Sequence, residues 1–230
     1  MSRFELHALL VGAAALVVAS ALAPSAQADV INYSLGTGNS SLSGFTGPFA
    51  DVTINRTSST TAVITFTADS NSLDTYLMGG AQAVDVNVNA ATFMVTPPIG
   101  TNGLAGFSTP GPYTVSGGTN ADGFGSFNLN IDSFDGFTHS ARSITFGLTD
   151  TSGTWGDAAD VLAGNSLGNF AAAHIFVCAA PVTSCTASSS NPVTGFAAVP
   201  GPVVGAGLPG LVGACGCLLM LARRRSNRFA

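Results

Sequence analysis

The feature that most constrains this chain is a two-residue hydrophobic alternation that returns between clusters of turn-forming residues. It is sharpest at Thr61–Ala68. There Ala62, Ile64, Phe66 and Ala68 share one face, and Thr61, Val63, Thr65 and Thr67 share the other. Successive side chains of a strand point to opposite faces, so period two with β-branched residues marks a half-buried strand. The same pattern places Val52 and Ile54 inward over Ala50–Arg56, and Val84, Val86 and Val88 inward over Ala83–Asn89. It recurs over Phe124–Asp132 (Phe127, Leu129, Ile131), Ser143–Thr149 (Ile144, Phe146, Leu148) and Ala171–Cys178 (Ala173, Ile175, Val177). Shorter strands fit Val30–Ser34, Thr92–Thr96 and Tyr113–Val115. Asp69–Met78 fits a helical turn or a strand. Ala158–Leu167, capped by Asp157, fits a short helix. Many short strands, turn signals about every 8–12 residues and little helix predict an all-β fold, an antiparallel two-sheet β-sandwich or jelly roll.

The two ends of the chain follow other rules. Arg3 precedes an apolar run, Ala8–Ala23, broken only by Gly12 and Ser20. Pro24 and the small-residue site Ala26-Gln27-Ala28 come next. This is the layout of a secretory signal peptide over residues 1–28, with Asp29 as the first mature residue and the Sec machinery as the implied partner. At the other end, Val203–Ala222 carries no charged side chain, and Arg223, Arg224 and Arg225 follow at once. As a helix this stretch would reach about 30 Å, the hydrocarbon thickness of a bilayer. Basic residues beside an apolar span stay on the cytoplasmic side. Gly205, Gly207, Pro209 and Gly210 weaken helix in the first third of the span, which leaves Leu211–Ala222 as its strongly apolar part.

The order of features in residues 199–230 (Val199-Pro200-Gly201-Pro202, an apolar stretch, an Arg cluster, the chain end) resembles the PEP-CTERM sorting signal of exported Gram-negative proteins. Such a signal implies recognition and removal by an exosortase, a transient membrane anchor, and delivery to the cell surface or extracellular matrix. One position departs from that pattern: Gly201 stands where the Pro-Glu-Pro that names the family has its Glu. The run Asn169-Phe170-Ala171-Ala172-Ala173-His174-Ile175, with Asp135–Ser140 before it, is similar to the closing strands of some exported proteins with such tails. That likeness implies a β-sandwich and a surface destination, not an activity.

Between the ends, residues 29–183 amount to one secreted domain and 184–198 read as a polar tether. This body has no Lys; its eleven acids are all Asp against Arg56 and Arg142, a net charge near −9. Nucleic acid and anionic lipid, which call for clustered cations, are disfavoured as partners. Cys178 and Cys185, with Pro181 between them, suit a local disulfide in an oxidising compartment. Cys215 and Cys217, at i and i+2 in the tail, face apart on a helix.

Three constellations bear on chemistry. Asp122, Asp132 and Asp135 lie among Asn120, Asn128 and Asn130; two carboxylates held about 5–10 Å apart are the machinery of a secreted glycoside hydrolase. The same set, or Asp150, Asp157 and Asp160, offers oxygen ligands to a structural Ca²⁺, although neither has EF-hand spacing. Asp and Asn at turn starts need no such role. His139 and His174 lack the partners of a Zn²⁺ site, and no Gly-x-Ser-x-Gly is present. Trp155, Tyr113 and Tyr76 would make a sugar-stacking platform if they shared a face, though core packing also accounts for them. The sequence therefore predicts a surface or matrix protein without a catalytic site or cofactor. A carbohydrate-binding module that holds extracellular polysaccharide is the alternative, and a hydrolase the second.

Overall fold

The computed structural model describes residues 29–134, 136–179 and 192–201. The expected signal peptide and its cleavage residues Ala26 and Ala28, Asp135, Cys185, and the tail from Pro202 through Gly205, Gly207, Pro209 and Arg223–Arg225 lie outside the described residues. So do the two expected terminal helices.

The described chain is all-β and antiparallel. Its strands are β1 (Asp29–Leu35), β2 (Thr37–Gly38), β3 (Ala50–Arg56), β4 (Thr61–Ala68), β5 (Asp74–Met78), β6 (Val84–Val86), β7 (Phe93–Val95) and β8 (Ile99–Asn102). After them come β9 (Thr114–Ser116), β10 (Asn120–Ala121), β11 (Gly125–Ser126), β12 (Leu129–Asp132), β13 (Ala141–Asp150), β14 (Asn169–Ala179) and β15 (Val193–Pro200). Thirteen strands share one hydrogen-bonded ladder, and β10 and β11 form a separate hairpin.

The ladder has two arms. In the first, β1, β3, β4 and β13 lie side by side, with β7 and β8 along the far edge of β13. In the second, β14 has β15 on one edge and both β5 and β6 on the other; β12 and β9 continue beyond β6, and β2 beyond β15. The Ala141–Met78 pair joins the arms. Their inner faces share one core, in which Ile54, Ile64, Phe66 and Phe146 belong to the first arm and Val84, Ile131, Ile175 and Val199 to the second. The Tyr33 ring of β1 meets Phe170 of β14 edge-on at 5.7 Å. The alternation of β3, β4 and β13 is borne out residue by residue, as is that of Ala173, Ile175 and Val177.

The outer faces differ. That of the first arm is hydroxyl and amide: Thr65 and Thr145 pair at 3.0 Å, Thr53 donates to Asn32 at 2.6 Å and Ser34 to Asp51 at 2.6 Å. That of the second arm is covered. Leu77, Phe107, Phe137, Phe176 and Cys178 cluster at one end, and Ala121, Phe124, Phe127, Ala172 and Ala198 at the other.

This covering explains several departures from the sequence pattern. Asp85, outward by alternation, is buried, because the Phe124–Phe127 segment lies over its face of β6. The expected strand at 83–89 shortens to three residues, and the one at 124–132 splits into β11 and β12. Of the stretch Asp69–Met78, Asp74–Met78 resolves as a strand, because these residues pair with β14. Asp157 does cap, accepting from the Asp160 N–H at 3.1 Å, but what it caps is a single 3-10 turn, Ala158–Asp160.

The main correction concerns the tether. Residues 193–198, assigned by composition to the polar linker, belong to β15, a strand flanked by β14 and β2. Val199 and Pro200, assigned to the tail, complete that strand. The residues are small rather than polar where it matters: Ala197, Ala198 and Val199 are buried. Gly195 is required here. A Cβ at this position would stand 2.6 Å from Asn39 Oδ1 and 2.8 Å from Leu42 Cγ. We predict that Gly195→Ala costs about 1–3 kcal/mol, the scale of overpacking in a filled site. Thermal unfolding reads this as a fall of several degrees in Tm; an unchanged Tm contradicts the packing described.

Candidate functional site

A hollow of the surface lies where β13 ends. Asp150, the last residue of that strand, turns the chain by accepting at Oδ1 from the Ser152 N–H (2.8 Å), the Ser152 hydroxyl (2.8 Å) and the Gly153 N–H (2.9 Å). These bonds hold its carboxyl below the usual carboxylate range, the Ser152 N–H most of all, against a smaller opposing effect of burial. The Ser152 hydroxyl in turn accepts from the Ala91 and Thr92 N–H groups at 3.1 and 3.2 Å. On the opposite wall Asn87 donates to the Ala163 carbonyl at 3.1 Å, and Asn89 to the Asp160 carbonyl at 2.8 Å. Asp160 Oδ2 accepts from the Gly156 N–H at 3.0 Å.

The result is a shallow basin of about 580 Å³, lined by Asn87, Asn89, Asp150, Ser152, Trp155 and Asp160 among others. No Lys, Arg or His is among the described residues that line it. Each Asn gives an amide N–H to a carbonyl, and each Asp has one oxygen engaged in a turn. The basin gathers two carboxylates, Ser and Thr hydroxyls and Asn amides, with no cationic side chain among them. Such a polar lining suits a ligand rich in hydroxyl groups.

Trp155 contributes its edge rather than a platform. It is 2% exposed, and its Nε1–H donates to the Asn89 carbonyl at 2.9 Å. Tyr76 is fully buried and donates to the Thr46 carbonyl at 2.7 Å, beside a second hollow of about 340 Å³ over Thr46–Pro48 and Asp69–Asp74. Tyr113 lies against Gly100 and Pro110, half-buried, with its hydroxyl pushed up to about 12, first by burial. The three aromatics do not share a face. The aromatic stack that sequence reasoning missed is His174 on Phe196, with centroids 4.7 Å apart and an interplanar angle of 13°. It joins residues of β14 and β15, and the second strand was not expected.

The other named residues have structural partners. Asp122 accepts from Asn39 Nδ2 at 3.2 Å; Asp132 accepts from the Gln82 N–H at 2.7 Å and the Ser116 hydroxyl at 3.2 Å. Asn128 both accepts from and donates to the Val88 backbone, at 2.7 and 2.8 Å. His139 packs on Phe134 at 4.4 Å. Among the described residues no group of three or more His, Cys, Asp or Glu is placed to hold a metal ion. Cys178 is disulfide-bonded. Asp29, the expected first mature residue, opens β1; it bonds Arg56 Nε at 2.8 Å and the Ala158 N–H at 2.8 Å, and the latter, ahead of Arg56, helps to hold its pKa low.

One functional-looking group lies away from the basin. Asp85, 1% exposed, sits between Ala172 and Asn130 in the ladder and accepts from Asn130 Nδ2 at 2.6 Å, while its Oδ2 has no partner. Burial pushes its carboxyl well above the ordinary value, and Asp132 adds to this, against the Asn130 hydrogen bond. No protein family, curated protein or solved structure matches this chain.

A raised carboxyl pKa in the folded state has a definite sign. The unfolded chain releases the proton near pH 4 and the folded one does not, so stability falls as pH rises from there toward the folded pKa. Asp85→Asn keeps the acceptor for Asn130 and removes the titration. Its Tm should exceed the parent's by a few degrees at pH 8, with the gain vanishing near pH 4. Melting curves across that range test this; a gain independent of pH counts against a protonated Asp85.

Proposed function

We propose that this chain is an exported protein of the cell surface or extracellular matrix of a Gram-negative bacterium, with no catalytic site of its own. The signal peptide directs it through Sec. An exosortase-type enzyme acts on the tail, which anchors the chain in the membrane until then. The observation that carries this reading is the order of features at the C-terminus: strand β15, then Pro200-Gly201-Pro202, then an uncharged stretch, then Arg223, Arg224 and Arg225. One further feature supports it. The outer face of the first arm satisfies its polar groups mainly with hydroxyl and amide pairs, which suits a body carried across a membrane and displayed. The body is read as a two-layer sandwich of jelly-roll type, with the arms of the ladder as its layers. Expression of the full chain in an exosortase-bearing Gram-negative host tests the proposal. The parent chain should reach the surface fraction without its tail. Replacing Arg223, Arg224 and Arg225 by Ala should leave a longer, membrane-bound form. A surface-located chain that still ends at Ala230 would sink the reading.

The polar basin, without a cationic side chain among its described lining residues, favours a second reading, in which the same displayed body holds extracellular polysaccharide. Asp160→Asn preserves an oxygen for the Gly156 N–H while removing charge. On a glycan array, selective binding by the secreted protein that weakens about tenfold in Asp160→Asn, a loss of roughly 1.4 kcal/mol, would establish it. A blank array leaves the purely structural role standing.

A further inference from the structure

The end of β15 and the start of the tail overlap. Just before they meet, β15 is flanked on both edges: Ala197 pairs with Ala173 on one side and Gly38 on the other, and Ala198 with Ala172 and Thr37, while Val199 and Pro200 pair with β14 along one edge. The Asn39 N–H adds a bond to the Phe196 carbonyl at 2.9 Å. Ala197 and Val199 point into the main core, Val199 being 4% exposed, and Ala198 packs with Phe124 and Phe127 on the opposite face. The contact continues past the strand. Pro200 pairs with Asn169, and the Gly201 N–H donates to the Gly168 carbonyl.

Gly201 has no room for a side chain. A Cβ there would lie 2.6 Å from the Gly168 carbonyl oxygen and 3.1 Å from the Phe170 ring. The Gly that replaces the Glu of the Pro-Glu-Pro pattern thus sits flush against the first turn into β14. A proteolytic enzyme must take its substrate as free, extended backbone, and the backbone of Val193–Gly201 is already engaged.

We infer that the folded body holds the first three residues of the sorting motif, Val199–Gly201, as part of its own sheet, and that the scissile bond lies on the C-terminal side of Gly201. This rests on the sorting reading above and adds where the cut falls and what sets its limit. At that bond the peptide C–N link breaks, the acyl carbon bonds to the oxygen of water or of another hydroxyl acceptor, and the acceptor's proton passes to the departing amine. Processing there leaves β15 whole. A cut before Val199 would remove a buried residue from the core and uncover the inner end of β14.

Mass mapping of the C-terminal peptide, on protein matured from the full chain in an exosortase-bearing host, decides the matter. The expected terminus is Gly201 or a later residue. A terminus anywhere from Val193 to Pro200 overturns this inference and leaves the sorting reading intact; an uncut chain ending at Ala230 overturns the sorting reading itself. Limited digestion of the matured protein with a broad-specificity protease gives an independent readout. The parent should resist within Val193–Gly201. Gly201→Glu, which restores the Glu of the pattern and pries the strand end from Gly168, should be cut there about fivefold faster, since cleavage tracks the open population. Equal rates would show that the end of β15 is not held.

Discussion

The structure depends on β14 and on the size of its residues. This strand pairs with β15 along one edge and with β5 and β6 along the other, so three strands of the second arm meet on it. Both of its faces are covered. Ala171 and Ala173 turn to the main core, and Ala172 turns outward beneath Phe124 and Phe127. Three consecutive alanines let the Phe rings and the facing arm approach the backbone closely on either side. A larger residue at Ala172 would lift the Phe124–Phe127 segment and expose Asp85 and Asn130 beside it. Packing at interior density leaves no slack for that exchange.

A chain so poor in charge has to satisfy its polar groups by other means. The Arg56–Asp29 ion pair ties β3 to the start of β1. Elsewhere the work falls to hydroxyls, amides and carboxylates closing turns on backbone N–H groups. Asn71, Asp150 and Asn165 each gather two or more N–H groups at a bend. These residues are abundant in the sequence and invite a search for catalytic or metal sites. Most of them are accounted for by the backbone they hold, since an unpaired buried N–H costs about 1–3 kcal/mol. Beside Asp150 such residues also line a hollow.

The strands of the first arm were legible in the sequence because one of their faces meets water: Ile64 and Phe66 alternate with Thr65 and Thr67, and the pattern needs no knowledge of the partner strand. The second arm was less legible for the opposite reason. Where both faces are covered, alternation loses its meaning. Asp85 was read as outward and is buried; residues 193–198 were read as tether because the stretch before them is Ser- and Asn-rich. The small buried residues of β15 carry no hydrophobic signature strong enough to mark a strand.

What the sequence determined by itself is the class of fold and the inward faces of β3, β4 and β13. Each follows from local periodicity. The tertiary structure decided which polar residues meet at the basin, that Trp155 and Tyr76 are buried in separate places, and that Val193–Pro200 is a strand of the sheet. These depend on pairings between residues far apart in sequence, such as Ala198 with Thr37 and Asn89 with Asp160. A one-dimensional pattern does not contain such pairings, because they are selected by how the two arms pack around one core.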